Sequence, residues 1–166
     1  FKAGEKLTYK VHYGMIDAGY ATLEVKKTEK KINGRELLHV VGKGKSISAF
    51  DLFFKVRDRY ESYLDQDGMF PWIFIRRVYE GGIEIKQDYT FYQHKNKVAT
   101  GKDKMDVPAN VQDMLSAFYY ARTIDFSNAK IDQVFEMSCV VDGETWPLKI
   151  KYKGEEEVKI RKGKFK

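Results

Sequence analysis

The sequence predicts a mainly β domain, an antiparallel up-and-down meander of about ten strands curled into a barrel or an open half-barrel, with one amphipathic helix packed on or across it. Three observations predict it. Apolar and polar residues alternate with period two along most of the 166 residues, and Gly or Asn turns recur roughly every ten residues. A single stretch, NVQDMLSAFYYARTI at 110–124, carries a helical period instead. Aromatic residues make up 14% of the chain, including 11 Tyr and 11 Phe, and these types suit half-buried pleated surfaces.

The strands follow in order. Leu7, Tyr9, Val11 and Tyr13 alternate with Lys6, Thr8, Lys10 and His12; after a connection at Met15 to Asp17, Ala21, Leu23 and Val25 alternate with Thr22, Glu24 and Lys26. Asn33-Gly34 is a two-residue hairpin turn, and Leu38, Val40, Gly42 and Gly44 mark a third strand whose glycines point to a bend or bulge. Residues 47–53, ISAFDLF, suit a short helical turn before a fourth strand with Phe54, Val56, Asp58, Tyr60 and Leu64 on one face. DQDG closes that strand, a fifth runs from Phe70 to Glu80, and a sixth from Ile83 to Gln93. A seventh is expected over Val98 to Lys104, after a turn at Lys95-Asn96. Beyond the helix come Val134 to Val141, Thr145 to Tyr152 and Glu157 to Phe165, joined by turns at Asp142-Gly143 and Lys153-Gly154. No linker, repeat or low-complexity segment interrupts, so 1–166 reads as one domain, long enough to bury a core.

Register follows from the turns. The Gly81-Gly82 turn sets Glu80 against Ile83, hence Val78 against Ile85, Arg76 against Gln87, Phe74 against Tyr89 and Trp72 against Phe91. Closing the preceding hairpin over residues 65–69 sets Leu64 against Phe70, Tyr60 against Phe74 and Asp58 against Arg76. A polar row of Asp58, Arg76 and Gln87 is therefore expected across an aromatic wall of Trp72, Phe74, Tyr89 and Phe91. A charge on an apolar wall must find a partner. The row is thus either an internal ion pair or a receptor for the head group of an amphiphile whose tail lies on the aromatics. The concave side of a curled sheet also needs a cover, and the helix at about 110–123 would place Leu115 and Phe118 over that space.

Along the helix, Val111, Met114, Leu115, Phe118 and Ala121 share one face, with Gln112, Ser116 and Thr123 opposite. Asn110 suits the N-cap with Asp113 at the third helical position, and Arg122 lies in the last turn, where the helix dipole favours a cation. These structural duties compete with any chemical role for Asp113 and Arg122. Ser116 lacks the glycines of a nucleophile elbow.

A net charge of +6 arises from 30 Lys and Arg interleaved with 24 Asp and Glu, which describes a solvated mixed face. The densest basic spots, Arg57/Arg59, Arg76/Arg77 and the terminal KIRKGKFK, match no nucleic-acid-binding motif, so no nucleic acid is expected. No apolar run reaches the roughly 18 residues of a membrane span. The single Cys139 cannot close an intramolecular disulfide, lacks the neighbouring Cys or His of a zinc site, and suits a strand core. His12, His39 and His94 are not spaced as ligands on one face, and Asp65, Asp67 and Glu155 to Glu157 read as turn residues. No catalytic residue, metal or cofactor is expected.

The opening GEKLTYKVHYGMIDAGYATLEV, the middle FKVRDRYESYLD and above all QDMLSAFYYAR resemble a family of uncharacterised exported bacterial proteins, a domain of unknown function. The resemblance covers essentially the whole chain, and its most specific part is the Asp-x-Leu-Ser-Ala helix of Asp113, Leu115, Ser116 and Ala117. It implies a leader removed before Phe1, a periplasmic or envelope location, and further strands beyond Lys166, so that the domain is C-terminally incomplete. It supplies no catalytic residues. A looser fold analogy links such folded-over sheets to lipoprotein-carrier half-barrels. The expected function is a non-enzymatic envelope protein that binds a hydrophobic or lipid-like ligand in a barrel cavity. The competing expectation is an envelope assembly factor, with no small-molecule ligand, that acts through its sheet edge.

Overall fold

The computed structural model describes residues 1–101, 103–160 and 163–165. Its main body is one antiparallel sheet of eight strands in sequence order: β1 Lys6–Tyr13, β2 Ile16–Ile32, β3 Arg35–Ser46, β4 Arg57–Asp65, β5 Pro71–Glu80, β6 Ile83–Tyr92, β7 Lys97–Thr100 and β8 Asp103–Asp106. Short local turns produce this up-and-down order, because each hairpin returns the chain beside the strand it has just left. β1 and β8 are the two margins and do not pair with each other among the described residues. The helical turn expected at 47–53 is present as α1, Ser48–Asp51.

Three strand assignments need correction. The seventh strand is two, because the chain reverses at Gly101, where φ is +78°. The strands β9 Val134–Val141 and β10 Glu144–Lys151 form a separate two-stranded sheet rather than continuing the meander. The expected last strand is two, β11 Val158–Ile160 paired antiparallel with β12 Gly163–Phe165; Arg161 and Lys162 between them lie outside the described residues.

The Gly81-Gly82 register holds: Val78 faces Ile85, Arg76 faces Gln87 and Phe74 faces Tyr89. The β4–β5 register does not. A bulge at Tyr63/Leu64 pairs Leu64 with Pro71 and shifts the remaining partners by two, so Tyr60 faces Arg76 and Ser62 faces Phe74. Its cause lies in the loop, where the Asp65 carboxylate accepts the backbone N–H groups of Asp67 at 3.1 Å and Gly68 at 2.8 Å. An even shift keeps every side chain on its expected face while changing its neighbour.

One face of the sheet is covered by residues 107–121, which include the helix α2, Met114–Ala121. Gln112 locks this segment to β9 by donating its N–H to the Ser138 carbonyl and accepting from the Val140 N–H, both at 2.8 Å. Two buried clusters result. Phe74, Tyr89, Phe91 and Val98 pack with Val107, Val111 and Val140; Val25, Leu38, Val40 and Leu64 pack with Leu115 and Tyr119 of α2. Each fully buried Leu or Phe contributes about 1.5–3 kcal/mol. Gly42 of β3 makes the close approach possible: a Cβ there would stand 3.1 Å from Leu115 and 3.2 Å from Leu23.

The helix starts three residues later than expected. Asp113 is its N-cap, accepting the N–H groups of Leu115 and Ser116 at 2.7 Å, while the Ser116 hydroxyl accepts the Asp113 N–H at 2.8 Å. Asn110 instead sits in the preceding turn with φ +57°. The buried face is Leu115, Ser116, Ala117 and Tyr119, whereas Met114 and Phe118 are exposed. Ser116, expected on the polar side, is buried because its hydroxyl closes the cap.

Candidate functional site

The expected polar row survives in part. Arg76 donates to Gln87 Oε1 at 3.2 Å, but its ionic partner is Asp142, at 2.7 Å, from the β9–β10 turn. Gln87 donates to the same Asp142 oxygen at 3.0 Å, so the turn of the small sheet is clamped onto β5 and β6. The Arg76 guanidinium also lies over the Tyr60 ring, and its Nε is buried with no partner among the described residues. Asp58 does not bond Arg76. Its carboxylate accepts the Tyr79 N–H at 3.3 Å and shares a hydrogen bond with the Glu80 carboxyl; burial and that second carboxyl hold its pKa above the usual carboxylate range.

The aromatic wall is core. Trp72, Phe74, Tyr89 and Phe91 are all buried, and the Trp72 Nε1–H donates to Asp65 at 3.0 Å. None of five cavities of 270 to 570 Å³ is lined by Trp72, Phe74, Phe91, Leu115 or Phe118. Leu115 fills the space over Gly42, and Phe118, 40% exposed, points away from it. Tyr89 and Gln87 border only a shallow 280 Å³ opening beside Asp142. The space expected beneath the helix is therefore occupied by side chains.

A different site lies toward the opposite end of β2 to β6. Lys43 stands directly opposite Arg59, Arg59 opposite Arg77, and Arg77 opposite Lys86, so four cations form one row across four strands. Lys45 opposite Arg57 starts a second row. Like charges at directly opposed positions oppose sheet formation by up to about 1 kcal/mol a pair. Counter-ions offset part of this: Arg57 bonds Asp51 at 2.5 Å, Arg59 bonds Glu61 at 2.7 Å, and Arg77 bonds Asp88 at 2.8 Å. Lys43 and Lys45 have no ion-pair partner among the described residues. Between the two rows runs a groove of about 570 Å³, its lining completed by Tyr20, Thr22, Gly44, Tyr79 and Glu84 among others.

Behind it, on the other face of the sheet, is a smaller apolar recess of about 270 Å³, lined by Val11, Tyr13, Ala18, Gly19, Ala21, Phe50 and Val56; Tyr20, Gly44 and Lys45 line both openings. Its floor is small by necessity at Gly19, where a Cβ would collide with the Lys45 carbonyl oxygen. At Gly44 a Cβ would meet only the Asp58 side chain, at an ordinary contact distance of 3.6 Å, so the position has room for a methyl group. The groove was detectable in KGKS at 43–46 and VRDRY at 56–60, where basic residues repeat at spacing two. Counting total charge masks them; aligning the register exposes them.

The other reactive groups are committed elsewhere. Asp65, read as a turn former, is fully buried and held by a bidentate pair with Arg35, whose NH2 lies 2.6 Å from Oδ1. Although burial opposes it, the Arg35 pair and the Gly68 and Trp72 donors hold its pKa down at about 2. Arg122 bonds Glu5 through two contacts of 2.6 and 2.9 Å, latching the N-terminal segment to α2. His39 stacks on Tyr63 and bonds Glu61 at 2.6 Å, and the Cys139 thiol is buried, which pushes its pKa up to about 12. Among the described residues, no three His, Cys, Asp or Glu side chains are grouped to hold a metal ion.

These features define a mainly β protein built on an eight-stranded meander, one face closed by a helix-bearing segment and one end rich in aligned cations. In sequence it matches the family DUF3108, described as a protein of unknown function, over residues 8–166, and the chain belongs to that family. The match agrees with the resemblance carried by its helix and strand motifs. No curated protein and no solved structure matches the chain.

Proposed function

We propose that this protein is a non-enzymatic binding protein of the bacterial envelope, an open half-barrel that takes an amphiphile with an anionic head. The observation that carries this reading is the apolar recess with Lys45 at its border, a cation that also lines the basic groove on the other face. A tail against Val11, Ala21, Phe50 and Val56 would leave water, while a carboxylate or phosphate head at the mouth of the recess would meet Lys45, which also lines it. The burial of Asp113 and Cys139 and the clamping of Asp65 by Arg35 favour binding over catalysis, since these groups hold the fold together. A location outside the cytoplasm is what the resemblance of the helix and strand motifs to a family of exported bacterial proteins implies.

The test is mass spectrometry of lipid extracted from the protein purified from its own host, together with uptake of a fluorescent fatty acid. Gly44→Leu, whose Cβ meets only ordinary contacts, should lose both the bound amphiphile and the uptake while keeping the wild-type circular dichroism spectrum. A wild-type protein that carries no lipid and takes up no fatty acid would refute the reading.

A further inference from the structure

The meander brings three connections to one end of the sheet: the β1–β2 tip, the 47–56 segment that contains α1, and the β5–β6 turn. Contacts tie them together. The Ile47 N–H donates to the Ala18 carbonyl at 3.0 Å, the Tyr13 and Phe50 rings lie 6.5 Å apart, and the Gly81 N–H donates to the Lys55 carbonyl at 3.0 Å. Large apolar side chains crowd this end and face solvent. Met15 is fully exposed, Leu52 and Phe53 are each 85% exposed, and Tyr13, Ile16 and Ile83 exceed 60%. Scattered exposed apolar residues need no explanation, but six on three adjoining tips form a patch that does.

We propose that this end is a membrane-docking surface, whose tips enter the interfacial region of a bilayer that carries anionic lipid. Charge complementarity selects that partner. Directly behind the tips stand Lys43, Lys45 and Lys55, with Arg57 and Lys86 beside them in ion pairs to Asp51 and Glu84, placed to meet phosphates at the headgroup level once Met15, Leu52 and Phe53 are immersed. A second copy of the chain fits poorly, because a two-fold contact would set this basic belt against itself. Projecting separate tips also suit a fluid interface better than the flat, closely packed surface a folded protein partner presents. The surface adjoins the amphiphile recess, with which it shares Tyr13 and Lys45, so docking would bring the recess to the membrane that supplies such molecules.

The experiment is flotation of the full chain with vesicles of phosphatidylcholine alone and of phosphatidylcholine with phosphatidylglycerol. Association is expected only with the anionic vesicles, and should weaken as salt rises, since exposed charges are screened beyond about 10 Å at 0.1 M. The triple substitution Met15→Ser, Leu52→Ser, Phe53→Ser removes exposed side chains, so it should retain the wild-type circular dichroism and thermal transition while lowering vesicle affinity on the order of 100-fold. Lys43→Gln with Lys45→Gln should remove most of the preference for anionic vesicles. Absence of vesicle association at low salt, equal binding by the triple variant, or a wild-type dimer that the triple variant converts to monomer would each overturn the proposal.

Discussion

Asp65 and Asp113 are both fully buried carboxylates, yet their surroundings push them in opposite directions. Arg35 and three further donors hold Asp65 at about 2, so its stabilisation is present above about pH 4 and is lost as pH falls toward 2. Asp65→Asn should lower unfolding free energy by about 2–3 kcal/mol at neutral pH, a difference that shrinks toward pH 2 in urea titrations. Asp113 lacks a cation. Burial raises it to about 6 against the Ser62 hydroxyl at 2.6 Å and two backbone N–H groups, so between about pH 4 and 6 the folded state keeps a proton the unfolded chain has released. Its contribution therefore falls as pH rises through that window and is flat above it. Asp113→Asn should remove this share of the slope, checked by urea midpoints at steps across the window. Neither role was legible beforehand. Asp113 was assigned the third helical position and Asp65 a turn, because sequence displays the local hydrogen-bonding habit of Asp and hides the partner thirty or fifty residues away.

Among the elements, β5 and β6 were read correctly because a two-residue Gly-Gly turn leaves one register, whereas the longer 66–70 loop leaves several. The bulge between Tyr63 and Leu64 chose among them, and with it went the expected Asp58–Arg76 pair. The working pair is Arg76 with Asp142, which joins the main sheet to the β9–β10 turn. Arg76→Ala and Asp142→Ala should be non-additive, with a coupling of at least about 0.5 kcal/mol, while Arg76→Ala and Asp58→Ala should come closer to adding. Double-mutant cycles by chemical denaturation check both. In α2 the error was one of phase: Val111, which precedes the helix, was counted on its apolar face with Met114 and Phe118, which set Phe118 inward and Ser116 outward. The buried Tyr119, whose ring packs with Phe1 at 4.7 Å, takes the place expected of Phe118.

At the scale of the whole molecule, the mainly β meander with one covering helix was legible, since alternation and turns are local signals. The site was not, because a row of cations exists only after four strands are aligned. The open margins have a consequence for how molecules of this kind keep apart. β8 is four residues long and reads DKMD, three charges in four positions, so little ladder is offered there. At the other margin, β1 carries Lys6 and Lys10, and the irregular pairing of Val11 and His12 with β2, where Ala18 is the extra residue, twists its far half out of line. Along β1 and β8, copies of the sheet thus meet no long, flat border on which to polymerise. A partner that added a strand to β1 would be confined to the five residues Lys6 to Lys10, and a lysine at each end of that stretch would favour an acidic strand over a second copy of β1.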